Sequence, residues 1–393
     1  MRPLEIAVAG CGPAGLAAAL LLRRDGHRVT LFERFDAPKP IGSGLMIQPT
    51  GQAVLRTLGL EERLLTQGAR IERLIGEANG RTVLDVRYAA LRRARFGIGI
   101  HRAALFDILH GAVREAGIPI RTGCAVRGSE LSGARRRLLM ENGASEPFDL
   151  VVDTLGARSA LASEPGRTLA YGALWASLEW MPGFDGAALQ QRYRRASVMA
   201  GVMPIGTAPG AATPQAAFFW SLRADRLDAW REAGLAQWKE EVAALWPATA
   251  PLLDQISHAE QLVFAHYAHR TLRTPVETGL IHIGDAWHAT SPQLGQGANM
   301  ALLDAHALAL ALREADDLDQ GLRRAVALRR RHVHLYQAMS RLLTPVYQSD
   351  GRAIPFARDR LMGPLSRLWP IPAIQAAMVS GLIGGPFRTL SLS

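Results

Sequence analysis

The stretch Leu4-Glu5-Ile6-Ala7-Val8-Ala9-Gly10-Cys11-Gly12-Pro13-Ala14-Gly15 decides the fold of this 393-residue chain. It opens with a short apolar run that is typical of a buried strand, and Ala and Leu at helical spacing then continue to Asp25. A glycine stops this helix, and a second strand ends at Glu33. A strand, a helix and a strand in this order predict a parallel, doubly wound sheet.

The glycines of this stretch predict a nucleotide site. Gly10 permits a tight turn, Gly12 lets the backbone approach a pyrophosphate, and Gly15 allows close packing of helix on strand. The helix N-terminus supplies free N–H groups and a positive dipole for the phosphates. Glu33 lies where a carboxylate would bind ribose hydroxyls, and it suits an unphosphorylated ribose. The sequence therefore predicts FAD or NAD rather than NADP.

A second segment, which begins Gly284-Asp285-Ala286-Trp287-His288, indicates which of these two cofactors is bound. A short buried strand precedes it, so Asp285 comes at a strand end and can accept a hydrogen bond from a ribityl hydroxyl. The run from Gly295 to Asn299 opens a helix whose dipole would stabilise negative charge on a reduced flavin. NAD has no use for a second site of this kind, so the two segments together favour FAD.

Composition excludes several other classes of protein. The hydrophobic fraction of 48% predicts an ample core, and the length suggests two interleaved domains or one large one. The formal charge of +10 comes almost entirely from arginine, since Lys39 and Lys239 are the only lysines. The densest run, Arg329 to Arg331, lies in a helical stretch without aromatic interleaving, so nucleic-acid binding is not predicted. Cys11 and Cys124 form neither a disulfide framework nor a metal set, and no metal site is expected.

The chain also carries no targeting pattern that we recognise. The N-terminus enters a strand at once and leaves no room for a signal peptide, so we expect a cytoplasmic protein. No apolar run approaches the roughly 20 residues that a membrane span needs. Pro370 to Phe387 is apolar but is interrupted by proline and glycine. We expect docked helices there, with peripheral membrane contact as the open alternative.

The predicted fold class is α/β. A Rossmann-type domain built from residues 1–70, 96–160 and 278–325 would bind the cofactor. Residues 71–95 and 165–277 would form an inserted antiparallel-sheet substrate domain, because segments 168–180, 196–205 and 215–223 are β-prone and separated by Gly and Pro. Residues 326–393 would form a C-terminal helical region.

At this point the chain resembles a known family, the FAD-dependent aromatic hydroxylases, or p-hydroxybenzoate hydroxylase-like flavoprotein monooxygenases. The resemblance covers most of the length, in matching order and spacing. It is carried by the opening fingerprint with Glu33-Arg34, the loop Gly42-Ser43-Gly44-Leu45 with Gln48-Pro49, Arg102 with Leu105, and the G-D-x-x-H…P-x-x-G-x-G-x-N…D-A segment.

The resemblance implies a set of cofactor-binding residues. Glu33 would hold the adenosine ribose, Arg34 would lie by the adenine, and Arg102 would lie near the pyrophosphate. Asp285 would bind the ribityl chain. The full set is Gly10, Gly12, Ala14, Gly15, Glu33, Arg34, Gly44, Leu45, Arg102, Val126, Asp285, Gly295, Gly297, Ala298 and Asn299.

The implied reaction is hydroxylation of an aromatic or polycyclic small molecule by O2 through a flavin C4a-hydroperoxide, with electrons from NADH or NADPH. The Pro292 carbonyl would face the substrate edge of the flavin, whereas His288 would have a structural hydrogen-bonding role. The pocket would lie between the flavin and the inserted sheet. Its candidate residues are Gln48, Tyr171, Met203, Phe219 and Trp287, with Trp175, Phe218 and Trp220 as further aromatic candidates.

Two departures from the family pattern leave alternatives open. Leu155 stands where the family usually has the Asp of an Asp-Gly pair linked to FAD and NAD(P)H, and Asp153 would face the opposite way on its strand. A separate reductase is therefore the alternative electron source. Trp287 replaces a small residue and would either narrow the pocket or pack behind the loop.

Two other functions compete with hydroxylation. A flavin halogenase would need a lysine beside the substrate, but Lys39 lies in the cofactor loop and Lys239 in a charged helix, and a W-x-W-x-I-P signature is absent. A flavin-binding module without catalysis is the non-enzyme alternative, and the complete second segment argues against it.

Overall fold

The computed structural model describes residues 2–36, 43–366 and 368–392. The strands are β1 (Glu5–Ala9), β2 (Arg28–Phe32), β3 (Gly44–Ile47), β4 (Ala69–Ile71), β5 (Arg73–Ala78), β6 (Arg81–Arg87), β7 (Gly97–His101), β8 (Ile120–Arg121), β9 (Val126–Ser132), β10 (Arg135–Met140), β11 (Gly143–Ala144), β12 (Leu150–Asp153), β13 (Arg167–Thr168), β14 (Tyr171–Glu179), β15 (Ala188–Arg194), β16 (Val198–Pro204), β17 (Gln215–Arg223), β18 (Val263–Ala265), β19 (Ala268–His269), β20 (Val276–Glu277) and β21 (Leu280–His282).

The helices are α1 (Pro13–Arg24), α2 (Pro49–Thr57), α3 (Glu61–Gln67), α4 (Arg102–Glu115), α5 (Leu227–Leu245), α6 (Ala250–Asp254), α7 (Gly297–Glu314), α8 (Leu318–Tyr347), α9 (Ala353–Leu365), α10 (Ile371–Val379) and α11 (Pro386–Thr389).

The first sheet collects strands from three distant parts of the chain. Its order is β20-β21-β12-β1-β2-β8, and all neighbours are parallel except β20 and β21. Helices α1 and α7 pack against it and against each other, and their leucines and alanines form the main hydrophobic core. Parallel strands covered by helices give the doubly wound layer that the opening stretch predicts.

The second sheet has the order β18-β14-β17-β16-β15-β5-β6. It joins residues 73–87 to residues 171–265. The expectation of an antiparallel sheet needs one correction, because β15 pairs with β5 in parallel. The two strands belong to different segments of the chain, so no tight turn forces them to run in opposite directions.

Alternation along the second sheet separates its aromatic side chains. Phe218 and Trp220 pack with Trp238 of α5 on one face. Phe219 lies between them in sequence and stacks on Trp175, with ring centroids 4.7 Å apart, on the other face. Because successive side chains point to opposite faces, one face forms a closed core and the other is free to bound a cavity.

The C-terminal region is helical, as expected. The segment 370–387, for which docked helices are expected, contains α10 and the start of α11. Tyr336 of α8 donates a hydrogen bond from its hydroxyl to the Met378 carbonyl (2.9 Å), which ties α10 to the long helix. Within the described residues, no helix is both long enough and apolar enough to cross a membrane.

Candidate active site

The first glycine turn packs tightly on its protein side and is open on the other. Gly10 has φ +109°, which L side chains rarely adopt. A Cβ at Gly15 would overlap the Gly10 carbonyl oxygen and lie 2.6 Å from Thr154 Oγ1, whereas a Cβ at Gly12 would meet nothing within 4 Å. The Glu33 carboxylate accepts a hydrogen bond from the Cys11 N–H (3.0 Å), which holds the acid beside the turn. This arrangement fits a pyrophosphate approaching the N-terminus of α1.

The Cys11 side chain is buried at this turn. Burial, reinforced by the nearby Glu33 charge, raises the pKa of its thiol to about 12. The thiol is therefore protonated at neutral pH and packs as a small apolar side chain.

The two glycine segments meet at one edge of the first sheet. Strand β12 lies between β1 and β21, so that Ala9, Asp153 and His282 stand side by side at the strand ends. A Cβ on Gly284 would lie 3.2 Å from the Ala14 Cβ, which shows how closely the second segment approaches the start of α1. The carboxyl edge of a doubly wound sheet is where such folds bind their ligands.

A buried ionic network supports the second segment from behind. Asp304 accepts hydrogen bonds from the Gly284 N–H (2.9 Å) and Arg329 Nε (2.7 Å), and it pairs with His288 Nε2 (2.6 Å). Burial alone would raise the pKa of Asp304, but His288 and Arg329 outweigh it and lower that pKa to about 2. His288 is thus a structural residue behind the loop, in agreement with the expectation for it. The network continues through His332, whose Nε2 bonds the Gly381 carbonyl (3.0 Å).

Asp285 and Arg102 are enclosed residues whose charges influence each other. Both line the cavity described below. Burial raises the pKa of Asp285, and Arg102 and His288 oppose that rise. Burial likewise lowers the pKa of Arg102, with Asp285 and Tyr267 acting in the opposite direction. An enclosed carboxylate next to an enclosed guanidinium suits a polar ligand chain such as a ribityl phosphate.

Two proposed site residues near the start of α7 make hydrogen bonds within the protein. The Pro292 carbonyl accepts a hydrogen bond from the Gly295 N–H (2.9 Å) and closes a turn, and Pro292 lines the cavity described below. Asn299 is fully buried: its Nδ2 donates to the Met46 carbonyl (3.0 Å), and its Oδ1 accepts from the Gln48 N–H (2.8 Å). Its side chain therefore holds the loop to β3, which leaves only the backbone of this turn to contact a cofactor.

A cavity of about 580 Å³ lies between the two sheets. Residues of the second sheet form one wall, and the segment from Thr290 to Ala298 forms the opposite wall. The volume is in the range of sites for small organic molecules. Of the proposed cofactor and substrate residues, those that line it are Gly44, Leu45, Gln48, Arg102, Trp175, Met203, Phe219, Asp285, Pro292, Gly295, Gly297 and Ala298.

Two proposed substrate residues lie elsewhere. Tyr171 is at the start of β14, where its hydroxyl donates to the Asp350 carboxylate and its ring lies under Arg223. Trp287 is buried in the core of the first domain and contacts the His288 ring. It packs behind the loop with the main hydrophobic core and does not line the cavity. Phe218 and Trp220 are core residues, because their side chains point to the face of the second sheet opposite the cavity.

Two other proposed cofactor residues, Arg34 and Val126, lie close to the end of β2 in the first sheet. Arg34 stacks over Phe35, 4.5 Å from the ring centroid. Val126 begins β9 and packs in the cluster that contains Phe32. Both lie near Glu33, since the Glu33 carbonyl accepts from the Cys124 N–H (2.8 Å). Gly42 and Lys39 lie outside the described residues.

Charge is confined to one end of the cavity. Its titratable charged lining residues are Arg102, Arg158, His266 and Asp285. Among the described residues, the lining contributed by the second sheet and the C-terminal helices is apolar, aromatic or uncharged polar, as in Met199, Met203, Phe219 and Gln191. Such a wall accommodates an uncharged aromatic molecule and would leave an ionic group unsolvated.

The C-terminal helices supply a third wall, which sequence reasoning missed. Met362 of α9 and Gln375, Met378 and Val379 of α10 line the cavity. The apolar composition of 370–387 indicates docking, but no local pattern shows what the helices dock against. Tyr267 was missed as well; it accepts a hydrogen bond from Trp175 Nε1 (2.9 Å) between the sheet and the cofactor end.

The Leu155 position adjoins a second, smaller pocket. The Leu155 side chain packs in the cluster on the far side of β12, while Asp153 is fully buried and accepts from the Leu155 N–H (2.9 Å). Asp153 also bonds His282, so it cannot take over the missing carboxylate. A pocket of about 410 Å³ is lined by Arg158 and Arg270. Arg270 is 6% exposed, and among the described residues its Nε and Nη1 find no hydrogen-bond partner.

Comparison with known proteins agrees with this geometry. The family model for an FAD binding domain matches residues 3–332. The chain is 25% identical over 390 residues to the aurachin C monooxygenase/isomerase of Stigmatella aurantiaca, covering 92% of this chain and 94% of that protein. It is 30% identical over 351 residues to the 6-methylpretetramide 4-monooxygenase of Streptomyces rimosus, covering 83% and 80%. The solved structure of Klebsiella pneumoniae HpxO complexed with FAD and uric acid has a TM-score of 0.82 at 20% identity, covers 97% of this chain and 98% of that one, and shows the same fold.

Proposed function

The chain belongs to the FAD binding domain family and is an FAD-dependent monooxygenase, and from this premise we propose that it hydroxylates an uncharged aromatic or polycyclic small molecule. The observation that carries the substrate class is the cavity of about 580 Å³, whose charged lining residues all lie at the cofactor end. An ionic substrate would find no counter-charge at the other end. An aromatic ring there would contact Phe219, Trp175 and Met203 instead.

The protein groups have separate roles in this proposal. FAD, when bound, supplies the electron transfer and oxygen activation. The turn at Gly12 and the N-terminus of α1 would hold the pyrophosphate, Glu33 a ribose, and Asp285 the ribityl hydroxyls. The N-terminus of α7 would stabilise negative charge on the reduced ring. The two sheets and the C-terminal helices would exclude water and orient the substrate ring. We place the reaction in the cytoplasm, which supplies NADH and NADPH.

Oxygen transfer is tested with isotopically labelled dioxygen. The purified holoprotein, NADH or NADPH, and a panel of phenols, quinolones and polycyclic phenols are incubated, and products are analysed by mass spectrometry. We expect one labelled oxygen atom in the product of a neutral aromatic compound. Met203→Glu, which places a carboxylate in the apolar wall, should abolish that product while the protein retains FAD. A panel in which no compound acquires label would contradict the proposal.

We propose NADH or NADPH as the direct electron donor, despite Leu155. The pocket beside Leu155 supports this, because Arg158 and the unpaired nitrogens of Arg270 suit the phosphates of a pyridine nucleotide. Stopped-flow reduction of the flavin, with and without aromatic substrate, tests it. Arg158→Gln with Arg270→Gln should slow reduction by NADPH while dithionite still reduces the flavin at the wild-type rate.

A separate reductase remains the second candidate for the electron source, and Leu155 is the observation that favours it. The separate reductase replaces direct reduction by NADH or NADPH if neither nucleotide reduces the flavin of the wild-type protein but a reductase-containing extract supports product formation. Halogenation has less support, since Lys239 belongs to α5, which packs on the sheet face opposite the cavity. A flavin-binding module without catalysis would release no oxygenated product in either experiment.

A further inference from the structure

The exposed hydrophobic side chains of the chain are concentrated on the C-terminal helices. Of eleven large hydrophobic residues that are exposed within the described ranges, seven lie between residues 354 and 374. They form what we call the C-terminal apolar surface: Ile354 (49% exposed), Phe356 (56%), Leu361 (56%), Leu365 (39%), Leu368 (58%), Trp369 (85%) and Ile374 (52%). Single exposed hydrophobics need no explanation, but a concentration of this kind in one segment is typical of an interaction site.

Four of these residues belong to α9, Leu368 and Trp369 lie between α9 and α10, and Ile374 belongs to α10. On α9, Ile354, Leu361 and Leu365 recur at intervals of seven and four and form one stripe. The opposite side of α9 packs on edge strand β6, where a Cβ on Gly363 would overlap the Thr82 carbonyl oxygen. The helix is therefore fixed in place, and its outward stripe is a defined part of the surface.

Arginine surrounds the apolar residues. Arg352 and Arg360 are exposed on α9 or just before it, and the Arg360 guanidinium lies 4.0 Å from the centroid of the Phe356 ring. The elements that α9 and α10 pack against add exposed arginines. These are Arg81 and Arg87 of β6, and Arg92 and Arg93 in the turn that follows it.

The carboxylates near this surface neutralise only part of that charge. Asp85 of β6 pairs with Arg87, while Asp350 pairs with Arg223 and Asp359 with Arg358. In the described part of the chain, Arg92, Arg93, Arg352 and Arg360 have no carboxylate partner. An apolar centre with an unpaired arginine rim is complementary to a surface of apolar chains under negative headgroups.

We propose that the C-terminal apolar surface docks the enzyme on an anionic lipid bilayer, with Leu368 and Trp369 reaching the boundary between headgroups and acyl chains. A second copy of the chain is a poorer occupant, because self-pairing would bring two arginine rims face to face. Trp side chains are also favoured at a bilayer interface, and Trp369 is the most exposed residue of this surface.

The location suits the proposed substrate class, and to that extent this inference rests on the proposed function. Met362 of α9 and Met378 of α10 line the cavity, while Leu361 and Ile374 of the same helices are on the apolar surface. Docking would bring the cavity wall to within one helix diameter of the bilayer, about 10 Å. An apolar substrate dissolved in the lipid would then reach the cavity without crossing bulk water.

The test is sedimentation of the full-length, FAD-loaded protein with vesicles. Vesicles of phosphatidylcholine alone are compared with vesicles that also contain phosphatidylglycerol. We expect binding to the anionic vesicles that weakens as salt rises. Leu368→Ser with Trp369→Ser should lower the affinity by about tenfold or more. The matched control, Leu65→Ser with Leu131→Ser, removes two exposed leucines elsewhere and should bind as the wild type does.

A second variant separates charge from apolar contact. Arg352→Gln with Arg360→Gln should reduce binding to anionic vesicles and remove part of its salt dependence. Equal binding by the Leu368/Trp369 variant and its control would overturn the proposal, as would no binding of the wild type to either vesicle. A dimer that this variant converts to a monomer, without vesicle binding, would assign the surface to a second copy instead.

These outcomes are independent of turnover. A protein that binds anionic vesicles but oxygenates no aromatic compound would contradict only the proposed function. A protein that oxygenates its substrate in solution and ignores vesicles would contradict only the membrane contact. The absorption spectrum of bound FAD shows whether each variant is folded.

Discussion

Gly12 and Gly15 lie three residues apart in the same turn, but they are required for different reasons. The Cβ position of Gly15 is filled by the protein itself, namely the Gly10 carbonyl and Thr154, whereas that of Gly12 is open. Glycine is therefore needed at one residue for folding and at the other for the ligand.

These two glycines give a matched prediction. Gly15→Ala should destabilise the FAD-free protein by roughly 1–3 kcal/mol, because the added methyl overlaps backbone atoms that cannot move easily. Gly12→Ala should leave the FAD-free protein unchanged and weaken FAD binding instead. Thermal unfolding without FAD, and titration of each variant with FAD, measure the two effects. Equal Tm losses in both variants would show that the assignment is wrong.

His332 predicts how stability depends on pH. Burial, assisted by the Arg329 charge, lowers its pKa to about 3, so it is neutral in the folded protein at pH 5 while the unfolded chain is protonated below about 6.5. The stability that this neutral histidine contributes is complete above pH 6.5 and is lost as the pH falls towards 3.

His332→Gln should therefore be most harmful near neutral pH. Loss of its hydrogen bonds costs about 1–3 kcal/mol at pH 7. That disadvantage should shrink by roughly 2 kcal/mol between pH 6.5 and 5, because the wild type alone loses stability through this group. Urea unfolding at several pH values measures the difference, with exposed His334→Gln as the control. A difference that stays constant with pH would contradict the assignment.

Among the secondary-structure elements, the pairing of β16 with β17 shapes the cavity. Gly201 stands directly opposite Phe219, and a Cβ at Gly201 would overlap the Phe219 ring. The glycine thus makes room for the aromatic side chain, which stacks on Trp175 and lines the cavity.

Gly201→Ala should consequently change substrate binding without changing the cofactor. The displaced Phe219 ring would enter the cavity, and we expect KM for the aromatic substrate to rise by about tenfold or more, since one misplaced ring costs on the order of 1–3 kcal/mol. FAD content should be the same as in the wild type. Gly186→Ala is the control, because a Cβ there meets nothing within 4 Å. An unchanged KM would mean that Phe219 does not border the substrate.

Helices and strands were easier to predict from the sequence than the tertiary contacts that their residues make. Strand β1 and helix α1 follow from a local apolar run and from helical spacing. Tyr171 shares a face of β14 with Trp175 by alternation, but as the first residue of the strand it lies beyond the cavity, where it bonds Asp350 from a distant segment. Asn299 was assigned to the cofactor from its motif, but its amide groups bond the backbone of Met46 and Gln48 from a distant segment. Such partners are fixed by tertiary packing, which no local window contains.

The free energy of unfolding of the whole molecule should rise with FAD concentration, because the proposed FAD contacts come from three separate segments of the chain. FAD at 100 times its Kd should add about 2.7 kcal/mol to the free energy of unfolding. Glu33→Gln and Asp285→Asn act at opposite ends of the proposed ligand, and each should weaken FAD binding by roughly 1.5–3 kcal/mol. Thermal unfolding at graded FAD concentrations tests both variants. If only one end affects FAD binding, the ligand does not extend between the two segments.

The position of β12 between β1 and β21 has a consequence for synthesis on the ribosome. Strand β12 is complete at residue 153, but its second neighbour is not made until residues 280–282. At roughly 5–20 residues per second, the nascent chain therefore carries an unpaired apolar strand edge for several seconds or more. Exposed edges of this kind are templates for aggregation. We expect the emerging polypeptide to be a chaperone client, and recombinant yield to improve with slower translation and lower growth temperature.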